Sequence, residues 1–539
     1  VTSATPFGAM TNVETLSVVT AHSVTLASNT VFSDFNFKDA NDQTLVLNDG
    51  YTQATSVSIV GDTDSNDTIT NNANVPLTVT AGALDIHTTT DIAGGTGLTD
   101  TILLVNDGGS ASWSTNISQI ENITVLDLAS TAGGDSTVVM SAYALGATKT
   151  LTVDASALDL LENFTFTGDL STSKMHITGG AGDDTLHGGT LNDTILGGAG
   201  NDSMATTTGN NSLVGGAGND TLTTEGTGND WLEGGDGNDT FVLSDDFDYA
   251  DTIAGGDGAD LMSHTANITS ATVLGGMSGV ETIRPLGAAD AAVTITLAAP
   301  ITDATTFDLS DDSSGRLTLS ATYTGAVTVL LSKGLRGTDG TNTDETSNTD
   351  SVVNTAGVAL TVEATNAAID SGTTLTGGAG IDTLILYADD SGDTANFAAV
   401  TKFETITVTD NTLSAGDDAA LNLGSYATPL TVDASSLDAL ETVNIDGDSM
   451  TAAGILTATG GGGTDTIDGG AGNDVIVGNG SADTLDGNGG LDNISGGAGN
   501  DSILVHNEGQ FVTAAGYETV DGGAGTDTLT FDTAAVALS

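Results

Sequence analysis

Residues 179–187 read Gly179-Gly180-Ala181-Gly182-Asp183-Asp184-Thr185-Leu186-His187, and residues 188–196 keep the same frame as Gly188-Gly189-Thr190-Leu191-Asn192-Asp193-Thr194-Ile195-Leu196. The nonapeptide Gly-Gly-x-Gly-x-Asp-x-apolar-x returns at Gly197, Gly215, Gly234 and Gly255. A second run starts at Gly460 and continues at Gly469, Gly478, Gly487 and Gly496, and isolated copies start at Gly377 and Gly522. Six turn residues followed by three strand residues make half a coil. Two repeats therefore close one coil of a parallel β-helix, and turns on one edge lie 18 residues apart.

Stacked this way, Asp184, Asp202, Asp220 and Asp239 share one edge, the last displaced by one residue at Thr224, and Asp193, Asn211 and Asp230 share the other. In the second run Asp465, Asp483 and Asp501 form one edge, and Asp474 and Asp492 the other. Asp260, Asp382 and Asp527 hold the same place in the repeats from Gly255, Gly377 and Gly522. A row of carboxylates repels itself unless a hard divalent cation sits between the rungs. Calcium takes six to eight oxygens in flexible geometry, backbone carbonyls included, whereas magnesium demands a smaller octahedron. Glycine tolerates positive φ and leaves its carbonyl bare. The expected calcium sites therefore combine these aspartates with Gly180, Gly182, Gly198, Gly200, Gly216, Gly218, Gly235, Gly237, Gly470, Gly472, Gly497 and Gly499. The eighth position (Leu186, Ile195, Met204, Leu213, Leu222, Leu232, Phe241) is expected to fill a narrow core. Leu191 and Ser481 replace the third glycine, Asn479 and Asn488 the second, and Asn211 the acid, while Thr206 to Thr208 lack the opening glycines. Sites bordered by those turns are expected to be weak or empty.

Composition points the same way. The 539 residues carry 72 acids against 8 bases, a net charge of -64, and 60 of the acids are Asp, the shorter side chain that suits tight turns and calcium. A chain this acidic lacks the basic footprint that nucleic acid requires. Calcium-free, it should be swollen by self-repulsion, so that binding and folding become one event. There is no cysteine, hence no disulfide or thiolate metal site. No apolar run approaches the roughly 18–20 residues that span a bilayer. The chain opens at Val1 with no charged-then-apolar leader, which implies processing or missing ends.

Outside the arrays, short runs such as Leu151-Thr152-Val153-Asp154 and Val293-Thr294-Ile295-Thr296-Leu297 have strand character. The phrase apolar-Glu-Thr/Asn-apolar, seen at Glu14, Glu121, Glu162, Glu281, Glu404, Glu441 and Glu518, uses seven of the twelve glutamates and reads as a turn-entry acid bonded to a neighbouring backbone. Leu151-Thr152-Val153-Asp154-Ala155-Ser156 returns as Leu430-Thr431-Val432-Asp433-Ala434-Ser435, and Gly94-Gly95 as Gly377-Gly378, so residues 77–200 and 360–485 are two copies of one module. The expected fold is all-β and elongated: parallel β-roll segments alternating with Thr/Val-rich β-solenoid or β-sandwich-like modules. Its domains are expected at 1–76, 77–178 (solenoid), 179–263 (roll), 264–359 (with a long loop near 336–349), 360–459 (solenoid) and 460–539 (roll and cap).

No catalytic constellation stands out. The histidines form no His-Glu-x-x-His pair, there is no Gly-x-Ser-x-Gly elbow, and the glycine clusters lead to Asp rather than to Gly-Lys-Ser/Thr. Trp113 and Trp231 are too few for a carbohydrate-stacking face, and Trp231 is expected at the roll surface.

The nonapeptides resemble those of RTX proteins exported by type I secretion. The Glu404-Thr405-Ile406-Thr407-Val408 and Val153-Asp154-Ala155-Ser156 phrases, set in Thr/Ala/Val-rich solenoid, resemble the lattice region of Caulobacter-type surface-layer proteins. The resemblance implies a non-enzymatic protein at the bacterial cell surface that folds on calcium (Ca2+) after export and assembles with itself into a layer or filament. It leaves cell-surface polysaccharide as a further partner. An RTX adhesin or biofilm-matrix protein is the alternative, followed by the non-catalytic part of a secreted hydrolase.

Overall fold

The computed structural model describes residues 15–17, 23–26, 33–37, 43–48, 51–59, 67–73, 75–82, 86, 90–95, 99–105, 110–113, 117–126, 135–140, 145, 148–169, 171–243, 250–264, 276–285, 294–297, 306–310, 315–331, 350–366, 368–388, 394–410, 418–506 and 518–532. The expected long loop near 336–349 lies outside these residues.

Two compact units form, one reaching His264 and taking in Gly276–Glu281, the other built on Thr282–Ser539. Both are wound by the same rule. Most strands pair in parallel with the strand two places along the chain, and the rest with the strand three places along, so a coil contributes one rung to each of two facing sheets. Thr194–Ala199 pairs with Ser212–Ala217, and the intervening Ser203–Thr206 pairs with Thr221–Thr224. In the first unit one sheet stacks 13 strands from Thr15–Ser17 to Met277–Ser278. In the second, one sheet runs from Thr282–Pro285 to Ala524–Gly525, faced by a five-stranded sheet from Thr294–Leu297 to Val400–Thr401 and a seven-stranded sheet from Thr394–Asn396 to Thr528–Asp532. Every pairing among the described residues is parallel, so the fold is a β-solenoid throughout and the β-sandwich-like alternative falls away.

The sequence explains the winding. Strands are two to seven residues long and alternate inward apolar with outward Thr, Ser or charged side chains, the period-2 pattern of a pleated strand. Parallel register repeats that pattern coil after coil, so the inward residues form continuous columns. Leu186, Met204, Leu222, Phe241 and Met262 make one column, each at 0% exposure, and Ile177, Ile195, Leu213, Leu232 and Ile253 make the facing one. No single coil could bury such a column alone, which is why solenoid stability accrues from neighbour to neighbour.

The duplication is visible in side-chain geometry. Asn71 Nδ2 donates to the Val75 carbonyl (2.8 Å) and to Asp100 Oδ1 (3.2 Å), and Asn354 Nδ2 donates to the Val358 carbonyl (3.0 Å) and to Asp382 Oδ1 (3.2 Å). The shared geometry thus reaches upstream of residues 77 and 360.

Candidate metal centres

The turn aspartates form rows. Along one edge the Asp184 amide donates to Asp202 Oδ1 (2.8 Å), Asp202 to Asp220 (2.7 Å), Asp220 to Asp239 (2.8 Å) and Asp239 to Asp260 (2.8 Å). The other edge links Asp193 to Asn211 (3.0 Å), Asn211 to Asp230 (2.8 Å) and Asp230 to Asp251 (2.8 Å). In the second array Asp465, Asp483, Asp501 and Asp527 follow one another, as do Asp474 and Asp492. The one-residue insertion after Asp220 is absorbed in the turns without breaking either row.

One oxygen of each carboxylate is used in this ladder. The second oxygen, Oδ2, has no partner in Asp202, Asp220, Asp239, Asp260, Asp474, Asp483, Asp492 and Asp501, and these residues are only 1–2% exposed. An unsatisfied buried polar atom costs roughly 1–3 kcal/mol, more for a charged group. Among the described residues no ion pair relieves the cost: those present are Lys149–Glu121, His187–Asp169, Arg284–Asp308 and His506–Asp486, none in a row. The first glycine of the turn makes the space. A Cβ on Gly215 would lie 2.3 Å from Asp220 Oδ2 and 2.6 Å from the Gly234 carbonyl oxygen of the next coil, so a carboxylate oxygen and a carbonyl oxygen converge where a side chain would have been.

The donors are all oxygen and hard, which suits calcium. Among the described residues no three acidic, His or Cys side chains converge on one point, so a carboxylate would have to be supplemented by turn carbonyls, as the glycine-rich sequence allows.

Burial, and after it the neighbouring carboxylates, pushes Asp202, Asp474 and Asp483 up to about 7. Burial raises Asp193, Asp230, Asp260 and Asp492 to about 6. Asp184, Asp220, Asp239 and Asp465 move up for the same first reason. Each raised carboxyl binds its proton more tightly folded than unfolded. Metal-free stability from these groups is therefore full below the unfolded pKa near 4 and is lost as pH rises through about 6–7. Decalcified protein should melt at a higher temperature at pH 5.0 than at pH 7.5, followed by circular dichroism in metal-depleted buffer; the opposite order would refute the protonation argument.

The glutamate phrase closes the rows. Glu281 Oε2 accepts the Asp260 amide and Glu404 Oε2 the Asp382 amide, both at 2.8 Å, where a further aspartate would otherwise stand. Glu162 and Glu441 instead close their own turns on the amides of Asp159 (3.3 Å) and Asp438 (2.8 Å).

Three turn aspartates that accept an amide of the coil before escaped the nonapeptide reading: Asp67, from Gln43, Asp100, from Leu77, and Asp251, which extends the row from Asp230. Their shared signal is the phrase Asp-Thr-Ile, seen at Asp67-Thr68-Ile69, Asp100-Thr101-Ile102 and Asp251-Thr252-Ile253 and also at Asp193-Thr194-Ile195. Asp382, from an isolated repeat, sits differently from the interior acids: its Oδ1 accepts the Leu360 amide and its Oδ2 the Gly378 amide. Asp527 is half-buried at its row's end. Trp231 is 48% exposed on the outer face of Trp231–Asp236.

The family model for the RTX calcium-binding nonapeptide repeat (4 copies) matches residues 178–213, 196–225, 226–250, 248–264, 459–493 and 468–503. The two arrays are RTX repeats. They cover about a quarter of the chain, and the plain solenoid coils wind by the same parallel rule, with few glycine turns. No curated protein matches the chain.

Proposed function

We propose that this RTX protein is a secreted structural subunit that folds on calcium outside the cell and then assembles with copies of itself into a layer or filament. RTX proteins are typically secreted, and an RTX solenoid is a structural calcium-binding element that is not catalytic by itself. The observation that carries the calcium half is the set of eight buried, partnerless carboxylate oxygens, none of whose residues is in an ion pair among the described residues. Asp202, Asp220, Asp239 and Asp260 in the first array, and Asp474, Asp483, Asp492 and Asp501 in the second, would hold the ions together with turn carbonyls. Calcium would supply the missing partner and cancel the repulsion along each row. Inside a cell, where calcium is scarce, the same rows keep the chain unfolded and exportable.

Self-assembly is supported by apolar side chains on the surface at matched places in the duplication. Leu161 and Leu440 precede the turn-closing Glu162 and Glu441 and are 73% and 65% exposed. Leu160 and Ile381 add 73% and 71%. Electron microscopy with millimolar calcium and with chelator tests the reading: ordered sheets or filaments are expected only with calcium. The double variant Leu161→Asp, Leu440→Asp should abolish them while leaving the calcium-dependent circular dichroism unchanged. Well-folded single particles of the unaltered protein with calcium would sink self-assembly and favour an adhesin.

A further inference from the structure

The Gly-Gly-x-Gly-x-Asp turns look alike in sequence but close in two ways. In four of them, and in the turn from Gly94 to Asp100 that is one residue longer, both carboxylate oxygens are bonded to backbone N–H. Asp100, Asp184, Asp193, Asp382 and Asp465 accept at Oδ1 from Leu77, Phe164, Met175, Leu360 and Val443 of the coil before, at 2.7–2.8 Å. At Oδ2 they accept from Gly95, Gly180, Gly189, Gly378 and Gly461, the second residue of the same turn, at 2.5–2.7 Å. None of these glycines is left-handed.

The eight aspartates with a partnerless Oδ2 all follow a second residue of the opposite kind. Gly198, Gly216, Gly235, Gly256, Gly470, Asn479, Asn488 and Gly497 have φ between +57° and +124°. There the second residue no longer gives its N–H to the carboxylate. In the first array the strand instead runs on through this residue, and Gly198 lies opposite Gly216 in the ladder. One backbone rotation thus separates a closed turn from an open one, and the two asparagines that break the motif at this position stand in the left-handed region that Asn tolerates better than most residues.

Resting on the calcium reading above, we propose that only the open turns lend their carboxylates to calcium, and that the closed turns are metal-independent staples. Two of the staples, Asp184 and Asp465, begin the arrays at equivalent places: the Cβ position of Gly180 meets Leu158, and that of Gly461 meets Leu437, in plain solenoid coils. They join metal-free solenoid to metal-built roll. Two others, Asp100 and Asp382, are single staples inside solenoid, so the complete motif from Gly377 to Asp382 carries no ion. Asp474 marks the distinction from mere order along the chain: it is the first of its row, yet Gly470 has φ +112° and its Oδ2 is open.

Native mass spectrometry of the full chain in calcium, counting bound ions, separates the classes. Asp382→Asn and Asp465→Asn should bind as many ions as the unaltered protein, whereas Asp220→Asn and Asp483→Asn should each lose at least one. A lower count in Asp382→Asn or Asp465→Asn, or an unchanged count in the open-turn variants, overturns the partition and leaves the calcium reading standing. Unaltered protein that takes up no calcium overturns both. Because a closed-turn variant could fold poorly, hydrogen exchange on the unaltered protein gives a second readout. The Gly378 amide should stay protected when calcium is chelated, while the amides along Asp202, Asp220 and Asp239 lose protection at least tenfold. Loss of Gly378 protection on chelation, to the same degree as at Asp220, would overturn the proposal.

Discussion

Chelating calcium at pH 7.5 is expected to unfold residues 179–264 and 460–506. The rows leave eight buried carboxylate oxygens without a partner, and pH 7.5 lies above even the raised values of about 7 for Asp202, Asp474 and Asp483. Charge then accumulates in line, at the coil spacing of about 4.8 Å, with nothing of opposite sign between. Each ion present at about 100 times its Kd adds about 2.7 kcal/mol, so about four ions contribute about 11 kcal/mol. That equals the whole net stability of an ordinary domain, about 5–15 kcal/mol. The arrays should therefore have no folded state without metal at neutral pH. Far-ultraviolet circular dichroism should lose a large part of its β signal with chelator and regain it with calcium but not with equimolar magnesium. Hydrogen exchange should place the loss in the arrays. An unchanged spectrum in chelator at pH 7.5 would refute the account.

How much of this was legible in the sequence depends on which atoms do the work. The nonapeptide fixed the coil length, so the rows of Asp184, Asp202, Asp220 and Asp239 and of Asp465, Asp483 and Asp501 stand as the 18-residue spacing requires. The core columns follow from the same arithmetic, and Leu186, Ile195 and Leu213 are fully buried. The plain solenoid coils were harder. Their turns vary in length and, apart from those at Gly94 and Gly377, lack the Gly-Gly-x-Gly phrase, so strand periodicity alone left a sandwich open, and only the parallel register removes it. Asp67, Asp100 and Asp251 stayed hidden because insertions break the nine-residue frame ahead of each, although the strand-entry phrase Asp-Thr-Ile survives. The sorting of open from closed turns was out of reach. It depends on one backbone torsion, which Gly180 and Gly198 take differently with the same residue type.

The dependence on glycine can be tested as sharply as the dependence on metal. Gly216→Val is expected to break the first array even at saturating calcium. Gly216 has φ +120°, a conformation closed to β-branched residues, and its Cβ would stand 2.0 Å from the Gly198 carbonyl oxygen. The obstacle is backbone of the adjacent coil, itself paired with Gly216 in the ladder and tied to the coil before through the Ala199 amide on the Gly180 carbonyl, so no side-chain rearrangement makes room. Strain of about 1–3 kcal/mol in the torsion adds to a steric conflict that only coil separation relieves. Separation would also part the Asp202 and Asp220 turns and weaken the metal site proposed between them, so the two losses compound through neighbour coupling. Gly357→Ala is the matched control, since nothing lies within 4 Å of its Cβ position and its φ is not left-handed. That variant should stay within about 0.5 kcal/mol of the unaltered protein. Calcium titrations followed by circular dichroism and by ion count should show Gly216→Val with fewer ions and a lower melting temperature, and Gly357→Ala with neither. If both variants bind calcium and melt alike, close stacking of glycine turns is not what builds the metal rows.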